Sequence, residues 1–171
     1  MPFYDKYIYN RFIMDVEIRK AVKADAEGIL ELIHELATFE QEPDALILDR
    51  KNIEEDGFGP NPLFSCFVAV FRGTIIGIAL FYPRYSTWKG ASLHLEDLVV
   101  TEKMKGKGIG TKLYKAFLSH ADFLGVDRVE WAVLDWNTNA IQFYEKSGAK
   151  VLSDWNIVQI DRLSIKNYIR K

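Results

Sequence analysis

The chain has 171 residues, the length of about one domain, and its 49% apolar and 27% charged residues exclude a disordered, collagenous or coiled-coil protein. Twenty-two basic against 24 acidic residues leave a net charge of -2, which argues against a nucleic-acid partner gripped through its phosphates. The single cysteine, Cys66, excludes an intrachain disulfide and a thiolate metal cluster, and its apolar run Phe64–Phe71 reads as the setting of a buried small hydrophobe.

Residues 1–13 carry charges throughout and no apolar core of a secretory signal, so they read as an accessory arm or an over-extended start before a domain at 14–171. No run approaches the roughly 18 apolar residues of a membrane span, and a cytoplasmic setting is expected. Val16–Ala21 alternates like a half-buried strand. Ala26, Ile29, Leu30, Ile33, Leu36 and Ala37 then fall on one helix face, with Asp25 placed to cap it. Asp49 can cap a short second helix ended by Gly57. Strands at Phe64–Phe71 and Thr74–Tyr82 are joined by a tight Arg72-Gly73 hairpin, and Leu93–Val100 forms another. A helix carrying Leu113, Ala116, Phe117 and Ala121 stops at Gly125. The strand Arg128–Leu134, a helix from Asn137 to Lys146, an extended tail over Val151–Ile160 and a last short helix at Ser164–Ile169 complete the order. The result is a mixed α/β sheet flanked by helices.

Between the Leu93–Val100 strand and the next helix lies Lys103-Met104-Lys105-Gly106-Lys107-Gly108-Ile109-Gly110. Strand, glycine-rich turn and helix form an anion cradle, because backbone N–H groups converge where glycine lets a ligand approach. A Walker A loop requires Gly-Lys-Ser/Thr, whereas Gly110-Thr111-Lys112 has the order reversed. A dinucleotide fingerprint requires glycine where Thr111 stands, with an acidic residue nearer than Asp135. A plain tight turn with solvated lysines is the remaining reading of the glycines alone.

Together with its surroundings, Lys105–Gly110 resembles the Q/R-x-x-G-x-G/A pyrophosphate motif of the GNAT superfamily of acetyl-CoA-dependent N-acetyltransferases. Glu55–Gly59, Tyr85–Gly90, Leu95-Glu96-Asp97, Ala132–Asn137, Phe143-Tyr144 and Gly148-Ala149 resemble the diamine acetyltransferases within it, especially the thialysine N-epsilon-acetyltransferase branch. The likeness runs over about residues 16–155. It implies a GNAT-like, mostly antiparallel central sheet with helices on both faces, acetyl-CoA as co-substrate, and a homodimer. Lys105 keeps the charge of the motif's first position without the planar fork of arginine.

Acetyl transfer imposes its own demand. An amine of pKa about 10.4 must lose a proton at pH 7, at roughly 4.6 kcal/mol, before it attacks a thioester. The departing thiolate then needs a proton. Glu96 and Asp97, being adjacent in a strand, are expected on opposite faces. The resemblance assigns the proton acceptor to Glu96, leaving Asp97 a structural partner, and the proton donor to Tyr144. Asn137 lies seven residues before Tyr144, on the same helical stripe, and by itself reads equally as a cap.

The resemblance further implies that the backbone of Leu98, Val99 and Val100 holds the pantetheine arm. It implies that Lys105, Gly106, Lys107, Gly108, Ile109, Gly110 and Thr111 hold the pyrophosphate, and that Asn137, Thr138, Asn139 and Ala140 contact CoA. Phe39, Glu40, Trp88 and Glu96 are the implied amine pocket. Ser86 stands where polyamine-preferring relatives carry aspartate, which favours a smaller amine such as thialysine over spermidine or spermine. His34, His94 and His120 have no ligand-spaced neighbour and read as non-metal. An acyl-CoA sensor with little turnover is the alternative of another class.

Overall fold

The computed structural model describes residues 15–170, so the reading of residues 1–13 as an arm lies outside it. The described chain divides into two compact units, the first ending at Trp131 and the second starting at Ala132.

In the first unit the sheet order is β1 (Glu17–Lys20), β2 (Ser65–Phe71), β3 (Thr74–Ser86), β4 (Gly90–Val100) and β5 (Arg128–Glu130), antiparallel except for the parallel β4–β5 pair. Helices α1 (Ala26–Phe39) and α2 (Arg50–Phe58) cover one face, where Ile29, Leu30 and Ile53 pack with Cys66, Val68, Ile78, Leu80 and Val99. Helix α3 (Ile109–Leu124) covers the other: the Phe117 ring lies 5.2 Å from Phe81, and His120 stands 5.9 Å from Phe67. The mostly antiparallel α/β sheet with helices on both faces is thus present.

Local chemistry explains where the boundaries fall. Arg72 and Gly73 both adopt positive φ between the paired Phe71 and Thr74, the two-residue turn whose twist suits a hairpin. Asp49 caps α2 reciprocally, its Oδ1 accepting from the Asn52 N–H at 2.9 Å while the Asp49 N–H donates to Asn52 Oδ1. Gly57 does not end that helix, which runs to Phe58. Its missing side chain makes room for the Phe64 ring, because a Cβ there would lie 2.4 Å from Phe64 Cζ. Asp25 precedes α1, but its carboxylate does not cap that helix. It accepts from the Val22 N–H and takes both terminal nitrogens of Arg19, at 2.6 and 2.8 Å.

Strand β3 continues four residues past Tyr82, through Pro83. β2 has already ended opposite Phe81, so one side of β3 is an edge there, and an edge tolerates a residue without an N–H. β5 is shorter than its apolar pattern, pairing with β4 only from Ser92↔Arg128 to His94↔Glu130.

The second unit contains α4 (Thr138–Lys146) and α5 (Arg162–Ile169), capped by Asn137 and Asp161 through the N–H groups of Ala140 and Ser164. Residues 151–160 form no strand among the described residues, since an extended pattern becomes a strand only where a neighbour supplies a ladder.

Candidate functional site

Glu96 owes its placement to a fault in the sheet. Leu80 pairs with Asp97 and the next residue, Phe81, pairs with Leu95, so Glu96 is an extra residue pushed out of the β3–β4 ladder. Bulges of this kind re-aim a side chain and disturb local pairing. The Glu96 carboxylate is exposed and accepts a 2.9 Å hydrogen bond from the Tyr82 hydroxyl, with His94 Nε2 at 3.6 Å from the same oxygen. Leu80 and Tyr82 share a face of β3, so Asp97 and Glu96 stand on the same side. Simple alternation puts them on opposite faces, and the bulge reverses that expectation.

Asp97 is half-buried and makes no hydrogen bond or ion pair with the described residues. Burial, reinforced by the charges of Glu96 and Glu40, pushes its carboxyl up to about 7. Partial burial also raises Glu40, at the end of α1. The structural partnership expected for Asp97 is therefore replaced by an unpaired carboxyl that titrates near neutrality. Such a group destabilises the fold when charged. Its native pKa exceeds the unfolded value, so stability falls as pH rises from about 4 to about 7 and is level above that. Asp97→Asn is accordingly expected to raise the melting temperature at pH 8 and to leave it unchanged near pH 4, as read by thermal melts at both values.

Beyond His94 the β5 ladder ends, while β4 continues through Leu98, Val99 and Val100, which pair on their other side with Ala79, Ile78 and Gly77. One edge of this stretch thus lacks a strand partner among the described residues. A turn at Glu102–Met104 follows, then Gly106 and Gly108 with φ of 74° and 76°. Apart from the adjoining residues, no heavy atom lies within 4 Å of where a Cβ would stand at either glycine, so nothing packs against the turn at these two positions. The N–H groups of Ile109, Gly110 and Thr111 open α3, whose first turn has no side-chain cap. The lysines are less free than their number suggests. Lys105 Nζ pairs with Glu102 Oε2 at 2.6 Å and lies 4.8 Å from the centre of the Phe39 ring, and Lys107 Nζ donates to the Lys103 carbonyl.

Three contributors have little signal in the sequence. Glu35, on the half-polar side of α1, accepts from the Glu102 N–H at 2.7 Å and from the Thr101 hydroxyl, and so clamps the entry to the cradle. Tyr82 and His94 are visible in the chain only as strand residues. The Ser86 hydroxyl accepts from the N–H groups of Trp88 and Lys89 and shapes the turn that presents the exposed Trp88. Cys66 is buried and its thiol pKa is driven upward by that burial, as suits a core residue. Among the described residues no cluster of His, Cys, Asp or Glu could hold a metal ion, and no helix is long and apolar enough to cross a membrane.

The second unit carries the remaining expected residues. Asn137 Oδ1 accepts from the Ala140 N–H at 3.2 Å, so its capping role is real, and Thr138, Asn139 and Ala140 form the first turn of α4. Tyr144 is buried on that helix with its ring against Phe143. Glu96 and Tyr144 therefore belong to different units.

A strand bulge bearing carboxylates, a freed strand edge and a glycine turn at a helix start thus follow one another along β4 and into α3. Comparison with known families gives the class: the acetyltransferase (GNAT) family matches residues 27–149, and the chain belongs to that family of acetyltransferases. Among its relatives, the thialysine N-epsilon-acetyltransferase of Bos taurus is 37% identical over 147 residues, covering 81% of this chain and 86% of that protein. The Caenorhabditis elegans protein of the same description is 36% identical, covering 75% and 79%. The human spermidine/spermine N(1)-acetyltransferase-like protein 1 is 35% identical over 85% of this chain but only 22% of its own length. An integron cassette protein from the mobile metagenome of V. cholerae shares the fold, with a TM-score of 0.77 at 21% identity over 92% of this chain and 99% of its own.

Proposed function

We propose that this acetyltransferase moves the acetyl group of acetyl-CoA directly to the amine of a small diamine-like substrate, thialysine or a close analogue, in a ternary complex. The observation that carries the reading is the Glu96 bulge. It presents a carboxylate where β4 loses its β5 neighbour, on the strand that leads into the glycine turn before α3. Residues 14–171 act as one catalytic domain in this reading, and the family match runs across both units.

Acetyl-CoA supplies the acyl carbon and a thiolate leaving group. The N–H groups around Gly106–Thr111 bind the diphosphate, the free edge at Leu98–Val100 aligns the pantetheine arm, and the first turn of α4 adds a further contact. Glu96 accepts the proton of the substrate ammonium, leaving a nitrogen lone pair to form the new N–C bond as the C–S bond breaks. Tyr144 gives its phenolic proton to the thiolate, and the second proton shed by the acylated nitrogen restores the phenol, leaving a neutral amide. Glu40, Phe39 and Trp88 line the amine pocket, and the acidic charges of Glu40 and Asp97 favour a cationic substrate. Ser86 adds no charge, since its hydroxyl serves the backbone of its turn. Relatives with thialysine in their names support the choice of amine, the lone thiol of Cys66 supports a reducing cytoplasmic setting, and the family resemblance supports a homodimer.

The test is release of free CoA thiol against thialysine, lysine, spermidine, putrescine and an aminoglycoside. Thialysine is expected to show the highest kcat/KM, and Tyr144→Phe to lower kcat about 100-fold with acetyl-CoA binding retained. A preference for spermidine would favour the polyamine reading, and no release with any amine would favour an acyl-CoA sensor.

A further inference from the structure

His94 faces Tyr82 across the β3–β4 ladder, the rings stacked with centroids 5.1 Å apart. Its two nitrogens meet opposite neighbours. On one side Nδ1 lies 3.4 Å from Arg84 Nη1, and on the other Nε2 lies 3.6 Å from Glu96 Oε2. A guanidinium can only donate, so the nitrogen that faces it must offer a lone pair. The imidazole proton is thereby placed on Nε2, the nitrogen directed at the carboxylate. Arg84 is itself held by Glu130, which pairs with Arg84 Nη1 at 2.6 Å and with Arg128 Nη2 at 3.0 Å.

We propose that His94 is a positioning residue for the transfer reaction: with its tautomer set by Arg84, its Nε2–H and the Tyr82 hydroxyl together fix the Oε2 edge of Glu96, so that the other carboxylate oxygen faces the amine. This inference rests on the reading of Glu96 as proton acceptor. At 3.6 Å the imidazole contact is an electrostatic approach rather than a closed hydrogen bond. Contacts of this kind shorten when substrate completes the site.

The charged and titratable groups around the ring agree with a neutral donor. Burial holds the His94 pKa below its usual value and the Arg84 cation from β3 lowers it further, while Glu96 on its own strand and Glu130 on β5 oppose them. Tyr82 remains a donor as well, since burial and the neighbouring Glu96 push its phenol up to about 12. Both groups that touch Oε2 thus carry a proton to give, and neither competes with Glu96 as the acceptor of the substrate's proton.

The experiment combines two readouts on the full chain. Two-bond 1H–15N correlation spectra at pH 7.5 are expected to show His94 as the Nε2–H tautomer, and an Nδ1–H tautomer or an imidazolium would overturn the proposal. In steady-state assays with the best amine, His94→Phe keeps a ring against Tyr82 but loses the donor. It is expected to lower kcat about five- to tenfold, on the scale of one weak hydrogen bond to a charged group, with KM for acetyl-CoA unchanged. His94→Gln, whose amide can donate from nearly the same place, is expected to recover most of that loss. Unchanged kcat in His94→Phe, or no recovery in a folded His94→Gln, would overturn the positioning role. Full activity in Glu96→Gln would instead overturn the proton-acceptor reading beneath it, which separates the two failures.

Discussion

Glu96→Gln is expected to lower kcat by about 10²–10³-fold while leaving acetyl-CoA affinity unchanged. The amide keeps the shape and can still accept from the Tyr82 hydroxyl, so the change removes basicity and little else. Steady-state kinetics with titration calorimetry for acetyl-CoA measures both halves of that statement. Asp97→Asn is the paired experiment, because the two carboxylates stand on the same side of the sheet and interact electrostatically. Asp97 is the less accessible of the two, and its pull on a cation can be lost without losing the proton acceptor. It should therefore raise KM for the amine more than it lowers kcat. The converse pattern, with kcat lost in Asp97→Asn and kept in Glu96→Gln, would move the proton acceptor one residue along the strand.

That the two carboxylates share a side could not be read from the chain. Alternation follows from each strand's own geometry, whereas a bulge is a property of a pair and appears only when Leu80 is matched with Asp97 and Phe81 with Leu95. The same limit hid the contacts of Tyr82 and His94 with Glu96, since nothing in the sequence aligns residues on neighbouring strands. It also hid Glu35, whose partner Glu102 lies 67 positions away. Features fixed by a few neighbouring residues were legible: the Arg72-Gly73 turn, the Asp49 cap and the end of α3 at Gly125. Between these extremes lies β3, whose apolar pattern ends at Tyr82, just before Pro83. The strand nevertheless continues, because an edge leaves the missing N–H without consequence. The glycine turn before α3 was legible for a different reason, since positive φ at Gly106 and Gly108 restricts residue type directly.

That restriction makes the cradle testable apart from folding. Gly108 and Gly125 flank the same helix, with φ of 76° and 66°, and at neither, apart from the adjoining residues, does any heavy atom lie within 4 Å of where an added methyl group would stand. Alanine at either site therefore incurs the same left-handed strain, about 1–2 kcal/mol, without a steric clash inside the protein. The two substitutions differ in which end of the helix they alter. Gly125 is the C-cap, at the opposite end from the glycine turn, so Gly125→Ala should lower the melting temperature and leave acetyl-CoA binding intact. Gly108 is the N-cap, next to the N–H groups that open α3, so Gly108→Ala should show a similar thermal loss together with an acetyl-CoA Kd raised about 10- to 100-fold, the equivalent of about 1.4–2.7 kcal/mol. Calorimetric titration of both variants, beside their thermal melts, measures the contrast. Equal affinities at equal stability would mean that the turn is only a turn, and the diphosphate would have to be held elsewhere.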